Sequence, residues 1–383
     1  MTMTWGRWVA AILTLSALAL APVPVEAGSA AGHAVSGKAG VAAKYDSNVD
    51  LTSEENAPDL DEGEEEGPEP AQIVELNGLL RFRSPWESPW HLDVEASVIA
   101  NIHSEETSDT WWVGQGFIDV GYAKGAGGVS ATDQVRYFSE PDDTELDNIR
   151  NTAQLAYKRT FSPLWQARVA YENQFHTFLQ TDEFNYSGNG GVAEIRNTWA
   201  PTFATTYSYA YRHFEGDGDD GDGRVGSPKT SDRHTAQLGV EAMLGRRDSL
   251  LGSYTFESDA ASSDGVYQLG ENQGEDENLE LDAEFDYVKH LASLLYSHRF
   301  GDRVTIAVYN ELIFKTFTDS KGSFPGYDED RTDTLYLGSA WVTVRLIDEL
   351  YGRARYLYRE NQSTIDFEDY QDHIVSGGLE YRF

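Results

Sequence analysis

The sequence predicts an all-β fold: a transmembrane antiparallel β-barrel of about 16 strands, with short periplasmic turns and long acidic extracellular loops. Three observations point there. Segment after segment alternates apolar and polar side chains, as a strand does when its two faces meet different surroundings. The connections alternate between tight turns and long stretches rich in Asp, Glu and Gly. The last segment, Asp372 to Phe383, sets Val375, Gly377, Leu379, Tyr381 and Phe383 on one face and stops on the aromatic. An even strand count returns the chain to the side where it entered. A soluble β-sandwich has no reason to sort its connections by length.

The first strand is His33 to Tyr45, with Val35, Ala39, Val41, Ala43 and Tyr45 on one face and Lys38 and Lys44 on the other. An acidic stretch, 46–72, follows; it carries several prolines and reads as a solvated extracellular loop. Val74 to Phe82 then opposes Glu75, Asn77, Arg81 and Arg83. Leu92 to Ala100 and Trp112 to Tyr122 follow, and the KGAGG turn leads to Val129 to Tyr137. Asp133 interrupts the apolar face of that last segment.

Ala153 to Tyr157 and Trp165 to Phe175 flank a tight FSPL turn, with Arg150, Arg168 and Glu172 on their polar faces. Ala193 to Trp199 and Tyr207 to Tyr211 come next, the latter opposite Arg212. After an Asp/Gly-rich loop, Ala236 to Leu244 and Leu250 to Phe256 are joined by GRRD. A second acidic excursion runs from Asp259 to Phe285. In Tyr287 to Arg299 the outward face is assigned to His290, Ala292, Leu294 and Tyr296. Val304 to Phe314, Tyr336 to Val344 and Leu350 to Tyr358 precede the final strand.

The remaining composition agrees with a barrel. A formal net charge of −35 and low mean hydropathy would suit a soluble chain, but a barrel needs no long apolar run, because its lumen and loops are polar. The 21 tyrosines suit interfacial belts. The absence of cysteine fits passage through an oxidising periplasm. Residues 1–27 read as a signal peptide: Arg7 at its charged end, the apolar run Val9 to Leu20, and Val25-Glu26-Ala27 as cleavage site. The barrel then occupies 28–383.

If the faces are right, the strands at both ends of the chain line one side of the lumen. They contribute Lys38, Lys44, Arg81, Arg83, Arg345, Arg353, Arg355, Arg359 and Arg382. In a closed barrel the last strand pairs with the first, so these form one basic stripe. One reading is a wall that favours anions such as acidic oligosaccharides, since arginine forks suit carboxylates and phosphates. The other is a structural network in which the same groups pair with lumen carboxylates and acidic loops.

Asp217, Asp219, Asp220 and Asp222 cluster carboxylates on a glycine-rich backbone. Such a cluster offers oxygen ligands to Ca²⁺ but lacks the spacing and distal Glu of an EF-hand. A specific calcium site, diffuse divalent binding and a plain solvated loop all remain open. No other cofactor is expected. No nucleophile elbow, zinc-protease helix, P-loop or dinucleotide fingerprint occurs, so the chain reads as non-enzymatic. His176, His213 and His373 fall near the outer rims, where solvated or interfacial histidines are common. Trp111 and Trp112 read as girdle residues, with Trp111 as an alternative inward sugar platform.

The signal peptide, the alternating segments and the terminal Phe383 resemble Gram-negative outer-membrane β-barrels along the whole mature chain. The first strand and its exit, GVAAKYDSNVD (Gly40 to Asp50), resemble the opening strand of the barrels of surface lipoprotein assembly modifiers and of exopolysaccharide export porins. Those families usually place a helical-repeat domain before the barrel, and no such repeat occurs here. The resemblance implies an outer-membrane location and an export channel for a surface polymer or other solute. It also implies that Tyr381 and Phe383 are a signal read by the barrel-assembly machinery. The expected surroundings are outer-membrane lipid and lipopolysaccharide, with a translocated substrate and no nucleic acid. Alternatives are a general diffusion porin, with Asp259 to Phe285 folded inward, and a non-conducting structural or adhesion barrel.

Overall fold

The computed structural model describes residues 34–47, 71–84, 89–103, 110–139, 147–179, 185–216, 230–261, 286–318, 330–364 and 369–383. Alternating sequence becomes a closed ring of 16 antiparallel strands. The strands are β1 (Ala34–Asp46), β2 (Ala71–Arg83), β3 (Trp90–His103) and β4 (Trp111–Lys124). Then come β5 (Gly127–Ser139), β6 (Asn148–Ser162), β7 (Trp165–Phe178) and β8 (Tyr186–Ala200). The second half holds β9 (Phe203–Gly216), β10 (Thr230–Met243), β11 (Asp248–Ala261) and β12 (Asp286–Phe300). It ends with β13 (Val304–Thr318), β14 (Thr332–Arg345), β15 (Leu350–Ser363) and β16 (Tyr370–Arg382).

Each strand pairs with its chain neighbours, and β1 pairs with β16 to close the ring. Closure leaves no sheet edge, which a lipid environment requires. The seam continues into the terminus. Gly37 N–H donates to the Phe383 carbonyl at 2.8 Å, and Phe383 N–H returns the bond at 3.0 Å. A Cβ at Gly37 would stand 2.5 Å from the Phe383 ring and 2.9 Å from the backbone carbonyl of Leu79, which cannot swing away, so the position favours glycine. Turns at the opposite end of the strands from the long connections are tight. Gly125 (φ 62°) and Gly301 (φ 61°) occupy left-handed backbone in two of them.

The register confirms the face assignments made from alternation. Val41 lies opposite Leu379, and Val74 opposite Ala43, on the outer face. His290, Ala292, Leu294 and Tyr296 also point outward, in register with Phe256, Tyr254, Gly252 and Leu250. Leu155 is 62% exposed and Val169 54%, which water would penalise and hydrocarbon does not. Aromatic pairs mark both borders of this apolar band. Trp90–Tyr122 (4.9 Å) and Tyr381–Phe383 (6.1 Å) lie at the short-turn end, and Trp112–Tyr137 (4.8 Å) toward the long connections. The band and its belts make the fold a transmembrane barrel.

Three expectations are corrected. The predicted loop 46–72 includes strand residues: Asp46 ends β1 and Ala71 and Gln72 begin β2, because cross-strand pairing extends the ladder beyond the alternating apolar positions. The predicted excursion from Asp259 begins too early: Asp259 lies within β11 and faces the lumen opposite Arg233. Trp111 leaves the girdle for its alternative, inward placement opposite Asn101, and only Trp112 of the two joins the outer belt. The signal peptide and the Asp217, Asp219, Asp220 and Asp222 cluster lie outside the described residues.

Candidate functional site

The inner wall is where charge is concentrated. All nine members of the basic stripe lie on inward-facing positions of β1, β2, β14, β15 and β16. The fold therefore brings together residues from the two ends of the chain. Their partners are wall carboxylates. Glu380 is 3% exposed and holds three cations: Arg382 at 2.6 Å, Arg353 at 3.2 Å and Lys38 at 3.8 Å. Lys44 meets Glu75 at 2.8 Å. Arg81 and Arg83 share Asp93 at 2.6 and 3.2 Å.

Higher on the same side, Arg359 sets Nε and Nη2 against Oδ2 of the fully buried Asp372, at 2.9 and 2.7 Å. Arg355 donates to Ser339 at 2.9 Å, and Arg345 reaches Asp348 in the β14–β15 turn at 2.8 Å. A small cleft of about 90 Å³ opens among Lys44, Glu75, Asn77, Arg353, Arg355 and Glu380. The stripe is thus contiguous and basic, and it is laced with acid. A buried charge requires such pairing.

A second basic cluster lies across the lumen on β5 to β12. Its members appear on polar faces in the sequence, but their convergence depends on register. Arg136 stands opposite Arg150. Arg212 lies opposite Arg233, which reaches Asp259 at 2.9 Å. Arg212 meets Glu172 at 2.5 Å, and Lys289 meets Glu257 at 2.6 Å. All of these groups except Asp259 line a cleft of about 480 Å³, together with the uncharged Gln115, Gln134, Thr152 and Gln174. Five cations and two carboxylates make its lining basic.

Behind it the wall is locked by aromatic contacts. Lys315 Nζ sits 4.2 Å from the Tyr287 ring centre and 4.4 Å from that of Phe317. Phe317 is fully buried and Tyr287 nearly so, with the Tyr287 hydroxyl donating to Glu257 at 2.8 Å. Cations over aromatic faces gain from the ring quadrupole as well as from burial.

The remaining sequence candidates are placed as follows. His176 points inward and is buried against Phe178 and Tyr186. His213 and His373 sit on the outer face, toward the long connections. Tyr381 and Phe383 lie on the outer face at the seam, with the Tyr381 hydroxyl donating to Glu349. Among the described residues no group of three or more His, Asp or Glu could hold a metal ion.

No family model matches the sequence. No curated relative matches it either. Solved structures do match. CdiB from Acinetobacter baumannii aligns with a TM-score of 0.51 at 10% identity, over 91% of this chain and 60% of that one. The fold is that of a bacterial outer-membrane barrel. The outer-membrane channel DcaP of Acinetobacter baumannii aligns over 93% of this chain and 99% of its own, with a TM-score of 0.49 at 10% identity. A bacterial polysaccharide outer-membrane secretin aligns over 91% and 98%, with a TM-score of 0.44 at 12% identity.

Proposed function

We propose that this barrel is an outer-membrane channel for polar solutes and has no enzymatic role. One observation supports the reading above others: the inner wall is charged and hydrogen-bonding from the seam to the opposite side, while the outer wall is predominantly apolar. A polar lumen holds water. A ring of 16 strands is wide enough for an aqueous path, and every described element is a wall strand.

The solute class follows from the β5–β12 cleft. Guanidinium and ammonium groups take carboxylate or phosphate, and the glutamine amides and Thr152 take hydroxyls. An acidic sugar or oligosaccharide offers both. Export of a surface polymer is the finer reading, and the resemblance of Gly40 to Asp50 supports it. Reconstitution in planar bilayers tests the channel: stepwise conductance is expected, and a silent barrel refutes it. Reversal potentials under a salt gradient test the solute class, with anion preference expected. Concentration-dependent block by an acidic oligosaccharide, and not by a neutral one of equal length, is expected at the cleft.

A further inference from the structure

Three hairpins repeat one arrangement on the lipid-facing wall, below their long connections. On β9, Tyr209 and Tyr211 share the outer face, and His234 of β10 stands opposite Tyr211. On β11, Tyr254 and Phe256 do the same, with His290 of β12 opposite Phe256. On β15 the pair is Tyr356 and Tyr358, with His373 of β16 opposite Tyr358. In each case the first tyrosine hydroxyl meets Nδ1 of the histidine on the diagonal. The distances are 2.7 Å for Tyr209–His234, 2.7 Å for Tyr254–His290 and 2.8 Å for Tyr356–His373. Each imidazole also packs on the second aromatic, with ring centres 5.1, 5.3 and 5.0 Å apart.

Strand pairing alone does not produce this repeat. The β13–β14 hairpin places Tyr336 and Thr334 opposite Leu312 and Phe314, and has no histidine there. Tyrosine alone serves an interfacial belt. Histidine adds a second ring nitrogen. A tyrosine hydroxyl donating to Nδ1 puts the proton of the neutral ring on Nε2, and a charged ring also carries N–H there. The rings of His234 and His373 are exposed and that of His290 is half-buried. At the depth of the outer aromatic belt, lipid headgroup oxygens lie within reach of such a donor.

We infer that the three Tyr–His pairs are docking points for the phosphorylated headgroup of an outer-leaflet glycolipid, each histidine donating Nε2–H to a phosphate oxygen. Neighbouring acids rank the three. Asp232 accepts from Tyr211 and His213 at 2.7 and 2.8 Å, close to His234, and its charge opposes a phosphate. Tyr358 donates to Glu360 at 2.8 Å beside His373. The register neighbours of His290 are Phe256 and Phe314, both uncharged. His290 is therefore the strongest of the three sites.

The test uses the whole barrel in nanodiscs of phosphatidylcholine doped with bis-phosphorylated lipid A. Native mass spectrometry counts the glycolipid retained per barrel. Wild type is expected to retain it, His290→Phe to retain less, and the triple variant His234→Phe, His290→Phe, His373→Phe to lose it. Phenylalanine keeps the ring packing and removes the nitrogen. His290→Gln restores an N–H near the Nε2 position and is expected to recover retention. Heat-dependent electrophoretic mobility reports separately that each variant is folded. Equal retention by wild type and the folded triple variant overturns the proposal. So does equal retention of dephosphorylated lipid A.

Discussion

Arg212 reaches Glu172 across the backbone of Gly190, joining β9 to β7 over the strand between them. Gly190 makes this possible. A Cβ there would stand 2.4 Å from the Tyr211 carbonyl and 2.9 Å from Arg212 Cγ. Gly190→Val is expected to push the guanidinium away and strand Glu172, which is 4% exposed. Gln154 still donates to Glu172, so losing the bridge costs about 2 kcal/mol, the scale of a buried acceptor left short of a partner, and the clash with the Tyr211 carbonyl adds to it. Urea unfolding in lipid vesicles measures it, and an unshifted midpoint would show that the bridge is dispensable.

Asp133 is the one break that alternation left unexplained in its strand. It faces lipid between Ile118 and Ala153, and Asn151 donates to it at 2.7 Å. A carboxyl in the hydrocarbon band is unfavourable there. The double variant Asp133→Leu, Asn151→Leu is expected to raise stability by about 1–2 kcal/mol. Asp133→Leu alone gains less, because the Asn151 amide loses its acceptor. A fall in the unfolding midpoint for the double variant would mean that the pair is needed for packing.

At the seam, Glu380 answers Lys38, Arg353 and Arg382 together. Glu380→Gln removes one negative charge and leaves all three cations in the lumen. If the barrel conducts, its reversal potential moves toward the anion potential. Arg353→Gln moves it the opposite way. Shifts of the same sign in both variants would separate ion preference from this part of the wall.

Phe383 seals the seam through its backbone and rests its ring against Gly37. Gly37→Leu is expected to hold β1 and β16 apart at the short-turn end and to lower the yield of folded barrel in detergent. Phe383→Ala keeps the backbone bonds, and we propose that it slows assembly by the cellular machinery more than spontaneous refolding. Comparing the folded fraction over time in cells and in purified vesicles distinguishes the two. Equal rates for Phe383→Ala and wild type in cells would remove the terminal residue as a signal.

Alternation made the strands legible, because a membrane barrel asks for only two environments. Even the histidine-bearing strand β12 could be oriented from its alternating side chains, and its pairing with β11 agrees. The seam stripe was legible too, since the first and last strands must meet in any closed ring. The β5–β12 cluster was not. Arg136, Arg150 and Arg212 each sit on a polar face, but only register brings them to one cleft. The partners of the stripe were hidden for the same reason: Glu380 serves three strands at once, and a single sequence carries no sign of that. The strand ends were missed where polar residues such as Asp46 and Asp259 continue the ladder facing inward.

The joining of β1 to β16 also sets a schedule. These strands lie at nearly opposite ends of the sequence, so the contact between them is among the least local the chain makes. Until it forms, two strand edges lie open, each with a row of unpaired N–H and C=O groups that hydrocarbon cannot satisfy. A partly built wall therefore has no comfortable resting place in the bilayer. Open edges favour coupling insertion to ring closure, and the thirteen residues of β16 are the piece that completes both.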